Sequence, residues 1–404
     1  MTDPFREPRL VFVNRYYWPD EPATAQLLTD LAEGLAAAGR SVTVIASRRR
    51  GAGAPPTREL RRGVAIVRVG STRSGRSVAA RALDYLTFGL AARRALAAVL
   101  GPCDRLVAMT DPPLLATIAA VRARRAGASS IHWLQDIHPE IGLALSGSRL
   151  LAAASALWIR RRDAAWRQAA ACVAISGDMA SVVAAHGVPP ERIHVIHNWA
   201  PGAEGLAPVA PGDNPWREAW RLGSRLVVAY SGNLGRVHAL EPLLAAAAIL
   251  RDEPNVLFLF VGDGPQRPAL EAAAAARHLD NVRFLPPQPR AQLAASLSAA
   301  DLHLVTLRPG CERLVFPSKL YGIAAVGRPV IFVVPVDCEM AATVRDGGFG
   351  VVVPPSDAGA IAGAIRRLAA DAAGRRRLGD AARTWSRQTG GLSAALAAWR
   401  PLLG

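Results

Sequence analysis

Short apolar strands alternate with amphipathic helices along this chain, and that rhythm limits the folds open to it more than any other feature. Val11-Phe12-Val13 is a buried-strand signal. A loop, Asn14 to Ala25, leads into a helix with Leu27, Leu28, Leu31 and Leu35 on one face; Gly39 stops it and Val42-Thr43-Val44-Ile45 follows. Strand, helix and strand in this short span make a parallel βαβ unit. Further strands are expected at Ala65–Val69, Arg105–Met109, Ser130–Leu134, Cys172–Ile175 and His194–His197. The pattern restarts at Leu226–Tyr230 and continues through Val256–Val261, Val282–Leu285, Leu302–Leu307, Pro329–Val334 and Gly350–Val353, with a helix at about 240–250. Between the halves, Asn198 to Gly223 is rich in Gly, Pro and Ala and lacks an apolar period, as a linker does. The expected organisation is a Rossmann-like domain at 1–198, a linker at 199–223, a second Rossmann-like domain at 224–383 and a terminal segment at 384–404. Two such α/β domains facing one another place a cleft at the carboxyl ends of both sheets, where these folds bind ligands.

Composition narrows the function classes. Hydrophobic residues make up 51% of the chain and aromatics 6%, so the core is built from Ala, Val and Leu and disorder is excluded. Met1 to Leu10 has charges and prolines and no apolar h-region, so no secretory signal is expected. No apolar run is long enough to predict a membrane span. Cys103, Cys172, Cys311 and Cys338 lie far apart without a C-x-x-C pair and read as reduced thiols of a cytoplasmic protein. The net charge of +16 is uneven: residues 1–195 hold 26 arginines against 15 acids, a net of +11. Arg48-Arg49-Arg50 and Arg160-Arg161-Arg162 lie in this half. A basic half points to an anionic partner: nucleic acid, acidic lipid headgroups or a phosphorylated substrate. A nucleic-acid reader is the weakest of these, because no recognition motif is present and the arginines are not interleaved with stacking aromatics.

Of 48 basic side chains only one is a lysine, Lys319, within Phe316-Pro317-Ser318-Lys319-Leu320-Tyr321-Gly322. A position that kept a compact ammonium in an arginine-rich chain suits a phosphate contact. Pro317 and Ser318 are helix-starting residues, and a helix N-terminus presents free N–H groups to an anion. Gly232-Asn233-Leu234-Gly235 joins a strand to a helix, and its glycines allow close backbone approach to a diphosphate, with Arg236 as a charged neighbour. His238 reads as structural. Gly262-Asp263-Gly264-Pro265 repeats the strand-end logic, Phe284-Leu285 offers backbone groups to a flat base, and Glu339 offers a carboxylate to a ribose or sugar hydroxyl.

Two loops stand out in the first half. Tyr16 to Gln26 combines aromatics, small residues and acids, a composition that binds sugars; Trp18, Glu21, Ala23 and Thr24 are its candidate acceptor contacts. Gln135-Asp136-Ile137-His138-Pro139-Glu140 ends a strand, and Asp136 or His138 is placed to take a proton from an acceptor hydroxyl. Glu140 reads as a helix-start residue.

In this order the motifs resemble the GT-B glycosyltransferases, specifically family 4 enzymes of the O-antigen and exopolysaccharide type, fucosaminyltransferase-like proteins included. The residues that carry the resemblance are Tyr17-Trp18-Pro19, Ala23-Thr24-Ala25-Gln26, Gln135 to Glu140, Ile196-His197-Asn198-Trp199, Tyr230 to Gly235, Val261-Gly262-Asp263-Gly264, and Pro317 to Gly322 with Gly327-Arg328-Pro329-Val330. It implies an α/β GT-B fold, two Rossmann-like domains facing across a cleft, and transfer of a hexosyl or N-acetylhexosaminyl group from a nucleotide diphosphate sugar, UDP-linked, to a lipid-linked or saccharide acceptor. The donor would lie in the C-terminal domain, with Gly232, Asn233, Gly235, Arg236, Ser318 and Lys319 around the diphosphate. Gly262, Phe284, Leu285, Tyr321 and Glu339 would meet the nucleoside or sugar. The N-terminal domain would hold the acceptor. No metal or other cofactor is implied, since cationic side chains and helix ends stabilise the leaving diphosphate. One departure stands against the wider family: two glutamates spaced by eight would fall at Leu314 and Gly322, and both are missing. Glu312 or Glu339 is the candidate replacement. Residues 384–404 resemble the last helix of such folds, which returns to the N-terminal domain. A polyprenyl diphosphate acceptor would explain the basic first half, with Ala153–Arg167 as the segment expected against an anionic membrane at the inner face of the plasma membrane. A sugar-nucleotide epimerase or hydrolase on the same architecture is the alternative enzyme.

Overall fold

The structure, a computed structural model, describes residues 8–48, 53–72, 78–113, 115–201, 206–389 and 391–404. Arg49 and Arg50 therefore lie outside the described residues. The chain divides into two units: residues 1–201, 314–316 and 392–404 form the first, and residues 202–313 and 317–391 the second.

Unit 1 is an eight-stranded sheet. Its strands are β1 (Leu10–Val13), β2 (Val42–Ser47), β3 (Arg58–Arg61), β4 (Val64–Val69), β5 (Arg105–Ala108), β6 (Ser129–Trp133), β7 (Ala171–Ala174) and β8 (Ile193–Val195). They are ordered β3-β4-β2-β1-β5-β6-β7-β8, all parallel except β3. Its helices are α1 (Ala23–Ala37), α2 (Val78–Val99), α3 (Leu115–Ala126), α4 (Glu140–Ser146), α5 (Arg149–Gln168) and α6 (Gly177–Ala185). β1 (Leu-Val-Phe-Val) and β2 are buried along their whole length, as strands covered on both faces are, whereas β4 alternates buried and partly buried residues and carries Arg68. Phe88, Ala92 and Leu96 of α2 and Leu115, Ala119 and Ala123 of α3 close one face over Val11, Val13, Ile45 and Leu106.

The edge strand β3 has no counterpart among the expected strands. Its sequence, Arg-Glu-Leu-Arg, is polar, and its burial alternates between exposed and partly buried residues. It pairs antiparallel with β4 through Arg62 and Gly63, both at positive φ (46° and 81°), the backbone of a two-residue hairpin turn.

Unit 2 has six parallel strands: β9 (Leu226–Ser231), β10 (Val256–Val261), β11 (Val282–Leu285), β12 (Leu302–Thr306), β13 (Val330–Val333) and β14 (Gly350–Val353). The order is β11-β10-β9-β12-β13-β14. In both units the direction of strand addition reverses once, at β1/β5 and at β9/β12. Such a switch point opens a crevice beyond the carboxyl ends of the two strands.

The segment expected as a linker is only partly one. Trp199 is buried and stacks on Trp133 at 6.1 Å in unit 1. Further on, Asn214 caps a short helix, Pro215–Ala219, by accepting from Trp216 N (3.0 Å). Trp216 and Trp220 pack on the unit 2 cluster of Leu222, Val227 and Leu257. At the other end, the return to unit 1 starts at residue 392 rather than 384. Trp385 stays in unit 2 against Tyr321 and Phe349, whereas Trp399 is fully buried edge-on to Trp133 at 5.2 Å. Among the described residues no helix is long and apolar enough to cross a membrane.

Candidate functional site

The β9/β12 switch point of unit 2 carries two loops that close on one another. Gly232 follows β9 at φ 132° and Gly262 follows β10 at φ 144°. A side chain on Gly262 would strike the Gly232 carbonyl, and one on Gly264 would meet Asn233 Oδ1 and the Leu234 carbonyl at 2.7 Å. Gly262 and Gly264 are thus required for loop-to-loop contact. Leu234 N donates to the Asp263 carbonyl (2.9 Å), and Tyr230 OH donates to the Asn233 carbonyl (2.8 Å). Gln266, absent from the sequence expectations, is the strut beneath. Its side-chain amide donates to Gly235 O (2.6 Å) and His238 O (3.1 Å), while its Oε1 accepts from Arg308 (3.1 Å).

Lys319 begins a seven-residue helix, Lys319–Ala325, with Ser318 at the cap position but making no side-chain cap bond. Its ammonium lies 3.5 Å from the centroid of the Tyr230 ring, and a side chain on Gly232 would meet its Cε and Nζ at 3.2 and 3.3 Å. Nζ is buried and has no hydrogen-bond partner among the described residues. Burial holds its pKa well below the ordinary lysine value. The Tyr230 π face is the main attraction offered to this charge, and it returns only part of the hydration lost. Beside it, His238 presents its Nδ1 to the Thr306 carbonyl (2.6 Å). Burial first, and the Lys319 charge second, push its pKa down to about 3, so the ring is neutral. Arg236 and Asn233 are exposed on the loop.

The remaining expected donor contacts are placed differently. Tyr321 is buried and stacks on Trp385 at 5.6 Å, so its ring serves helix packing. Phe284 stacks on Phe260 at 5.1 Å in the core of the sheet. The Leu285 carbonyl already accepts from Gly262 N (3.0 Å) and Arg267 (2.9 Å). Glu339 is the first residue of the helix Glu339–Asp346, where an acid favours the helix dipole. Glu312 is partly buried, with Oε2 unpartnered among the described residues.

In unit 1 the β1/β5 switch point is built on ion pairs. Arg15, just after β1, is buried and bonds Asp84 (2.7 Å) and Asp111 (3.1 Å). Tyr16 and Tyr85 cover its guanidinium, with centroids at 4.4 and 4.8 Å. Burial raises the Asp111 carboxyl, and Arg15 opposes the rise; Asp136 and His138 are close enough to act on it as well. Asp136 leaves β6, its N–H 3.4 Å from Thr110 Oγ1, and its backbone pairs with Val315. Burial holds its carboxyl above the usual range, against the pull of His138. Asp136, His138, Thr110, His132 and Arg162 line one small cavity. Arg162 fixes the loop below. It donates to His138 O (2.8 Å), forks onto both Glu140 oxygens (2.5 and 2.7 Å) and reaches Asp163 (2.7 Å). It also stacks on Trp166 at 4.1 Å. His186 closes the chain onto Asp163 at 2.9 Å. Burial works against the ionised Asp163, but His186 and Arg162 win and hold its pKa low.

The expected acceptor loop is less gathered. Trp18 packs under Arg61 (4.2 Å to the ring centroid), and its carbonyl accepts from Arg68 (3.1 Å). Glu21 is exposed, its carbonyl accepting from Gln26. Ala23 and Thr24 open α1. Arg15 and Asp111 were missed by sequence reasoning; their signal was position, an Arg two residues past Val13 and an Asp-Pro two residues past Met109.

Comparison with known proteins agrees with this architecture. Residues 24–199 match the Glycosyl transferase 4-like domain, and residues 213–385 match Glycosyl transferases group 1. WcaI of Escherichia coli (strain K12), named as a glycosyl transferase of colanic acid biosynthesis, is 29% identical over 65% of this chain and 66% of its own. WbjE of Pseudomonas aeruginosa, named as a glycosyltransferase, is 27% identical over 66% of each. The matched region thus spans just under two thirds of these curated relatives. Among solved structures, sucrose-phosphate synthase from Thermosynechococcus elongatus superposes with a TM-score of 0.79 at 21% identity over 98% of both chains. Anabaena HepE in complex with UDP-glucose gives 0.74 at 17% identity, over 98% of this chain and 99% of that one.

Proposed function

We propose that this chain, a GT-B glycosyltransferase with a 4-like domain at residues 24–199 and a group 1 domain at 213–385, moves a sugar from a UDP-linked donor to a saccharide or lipid-linked acceptor in cell-surface polysaccharide synthesis. The observation that carries the donor reading is the buried Lys319 ammonium, which lies against Gly232 and has no hydrogen-bond partner among the described residues. A nucleoside diphosphate brings the counter-charge that site lacks. As the bond from the sugar anomeric carbon to the diphosphate oxygen breaks, that oxygen keeps the electron pair, and Lys319 and Arg236 meet the developing charge. No metal is required for that role.

Asp136 takes the proton from the acceptor hydroxyl as its oxygen bonds to the anomeric carbon. Burial raises its carboxyl above the usual range, which makes the carboxylate a stronger base toward that proton. The complex of HepE with UDP-glucose and the polysaccharide role in the name of WcaI support the choice of UDP and of the pathway class.

The test is calorimetric titration of UDP and uridine into wild type and Lys319→Ala. UDP affinity should fall about 30-fold or more, the scale of losing a charge-assisted contact in a buried site, and uridine affinity should change little. Unchanged UDP affinity would remove Lys319 from the donor site. Lys319→Arg should also be impaired, because a planar guanidinium needs different room. Sugar release from UDP-sugars at full rate without any acceptor would instead favour a hydrolase.

A further inference from the structure

The helices on one side of the unit 1 sheet have an outer face that the fold itself does not use. α3 packs against α2 on one side and α5 on the other. The inner face of α2 is committed to the core through Phe88, Ala92 and Leu96. Its outer face repeats leucine at helical spacing, Leu83, Leu86 and Leu90, each about half exposed. The first turns of α5 expose more: Leu150 is 84% and Leu157 59% accessible.

Charge on this face has one sign. Arg81, Arg93 and Arg94 on α2, Arg125 on α3, and Arg160 and Arg161 on α5 are exposed. The only acids in these three helices, Asp84 and Asp163, are buried and ion-paired to Arg15 and Arg162. Arg122 of α3 has its pKa lowered, first by burial and then by Arg93 and Arg125, which shows like charges crowding between neighbouring helices. The expected membrane segment Ala153–Arg167 is corrected in part, since Arg162 and Trp166 at its far end are buried in the ion-pair network. Its exposed leucines and Arg160-Arg161 remain, and α2 and α3 extend the surface.

We propose that the outer face of α2, α3 and α5 docks on an anionic lipid bilayer. Leucine stripes need an apolar medium and the arginines need anions, and a bilayer surface with acidic headgroups supplies both within one layer. A second copy of the chain fits poorly, because a self-paired interface would set arginines against arginines. The proposal stands apart from the donor reading, since it is measured without substrate.

Co-sedimentation with phosphatidylcholine vesicles, with and without phosphatidylglycerol, tests it. Partition to the anionic vesicles should be at least about tenfold higher, and about 1 M salt, which shortens the screening length to about 3 Å, should release most of the protein. R93Q/R94Q should lower partition about tenfold, and L86Q/L90Q should lower it by a similar factor with the charge intact. R160Q/R161Q reads the same face from α5 if an α2 variant fails to fold, and the melting temperature and UDP affinity report folding. Equal partition to both vesicles, or folded variants that bind as wild type does, would overturn the proposal. So would a concentration-dependent dimer that L86Q/L90Q dissolves in the absence of vesicle binding, which would assign the face to self-association.

Discussion

The two switch points handle charge in opposite ways. At β1/β5 and the β6 end of unit 1, each buried guanidinium is met by carboxylates: Arg15 by Asp84 and Asp111, Arg162 by Glu140 and Asp163. At β9/β12 of unit 2, one ammonium is buried against an aromatic ring, with no hydrogen-bond partner among the described residues. A balanced network fixes geometry, because every member is held by charge-assisted bonds. An unbalanced charge stores a demand for an anion. The first arrangement suits a site that must hold an acid at one position; the second suits a site that must grip a ligand which brings the missing charge.

Changing chemistry without changing the balance should have the largest effect. Asp136→Asn keeps the shape of the side chain and removes its basicity. The variant should melt near wild type, bind UDP normally and lose about 100-fold or more of its transfer rate, the range a positioned base contributes. Near-normal turnover in a folded Asp136→Asn protein would move the role to His138, the other proton acceptor on that loop.

Breaking the balance in unit 1 comes next. Arg162→Ala leaves Glu140 and Asp163 facing one another without their cation and frees the His138 carbonyl. Removing one partner of a buried pair costs about 3–5 kcal/mol. The matched change R162L/E140L should recover part of that loss, because it removes charge of both signs. Chemical unfolding followed by tryptophan fluorescence would check both. If R162A melts as wild type does, the network is not a strut for the loop.

These contrasts explain what was legible in the sequence. Strands buried on both faces announce themselves as apolar runs, and all of the expected strands are present with shifts of a residue or two. The polar edge strand β3 could not announce itself that way, since its pairing rests on a hairpin turn at Arg62-Gly63. Lys319 drew attention because it is unique in the chain, and the structure sets its ammonium against the Tyr230 ring. Tyr321 was placed with it by adjacency, yet side chains two apart on a helix point to different sides, and the tyrosine turns to Trp385. Arg15 meets Asp84 and Asp111 across separations of 69 and 96 residues, so no local pattern could reveal the pairs. Gln266 was hidden for the same reason: its partners Gly235 and Arg308 lie 31 and 42 residues away.

Easing the imbalance in unit 2 should have the smallest effect, and its sign is opposite to that of the Arg162 change. Lys319→Met keeps the length of the side chain and removes a charge that burial disfavours. The free protein should gain about 1–2 kcal/mol, since the Tyr230 ring offsets only part of the desolvation. For a unit of this size that is roughly 2–8 °C in melting temperature. The pH dependence follows from linkage. The folded-state pKa of Lys319 lies below its ordinary value of 10.5, so between the two the unfolded chain holds the extra proton. Wild-type stability should therefore rise with pH across that window, whereas below the folded-state pKa the full cost persists. The gap between Lys319→Met and wild type should be widest at the low-pH side of the window and close as pH approaches 10.5. UDP should narrow the gap, because it binds more tightly to, and so stabilises more, the protein that still carries the ammonium. Calorimetric melts of both proteins at several pH values, with and without UDP, read all three effects. A Lys319→Met protein less stable than wild type at every pH would mean that the ammonium is satisfied where it lies, and the contrast between the two switch points would fail.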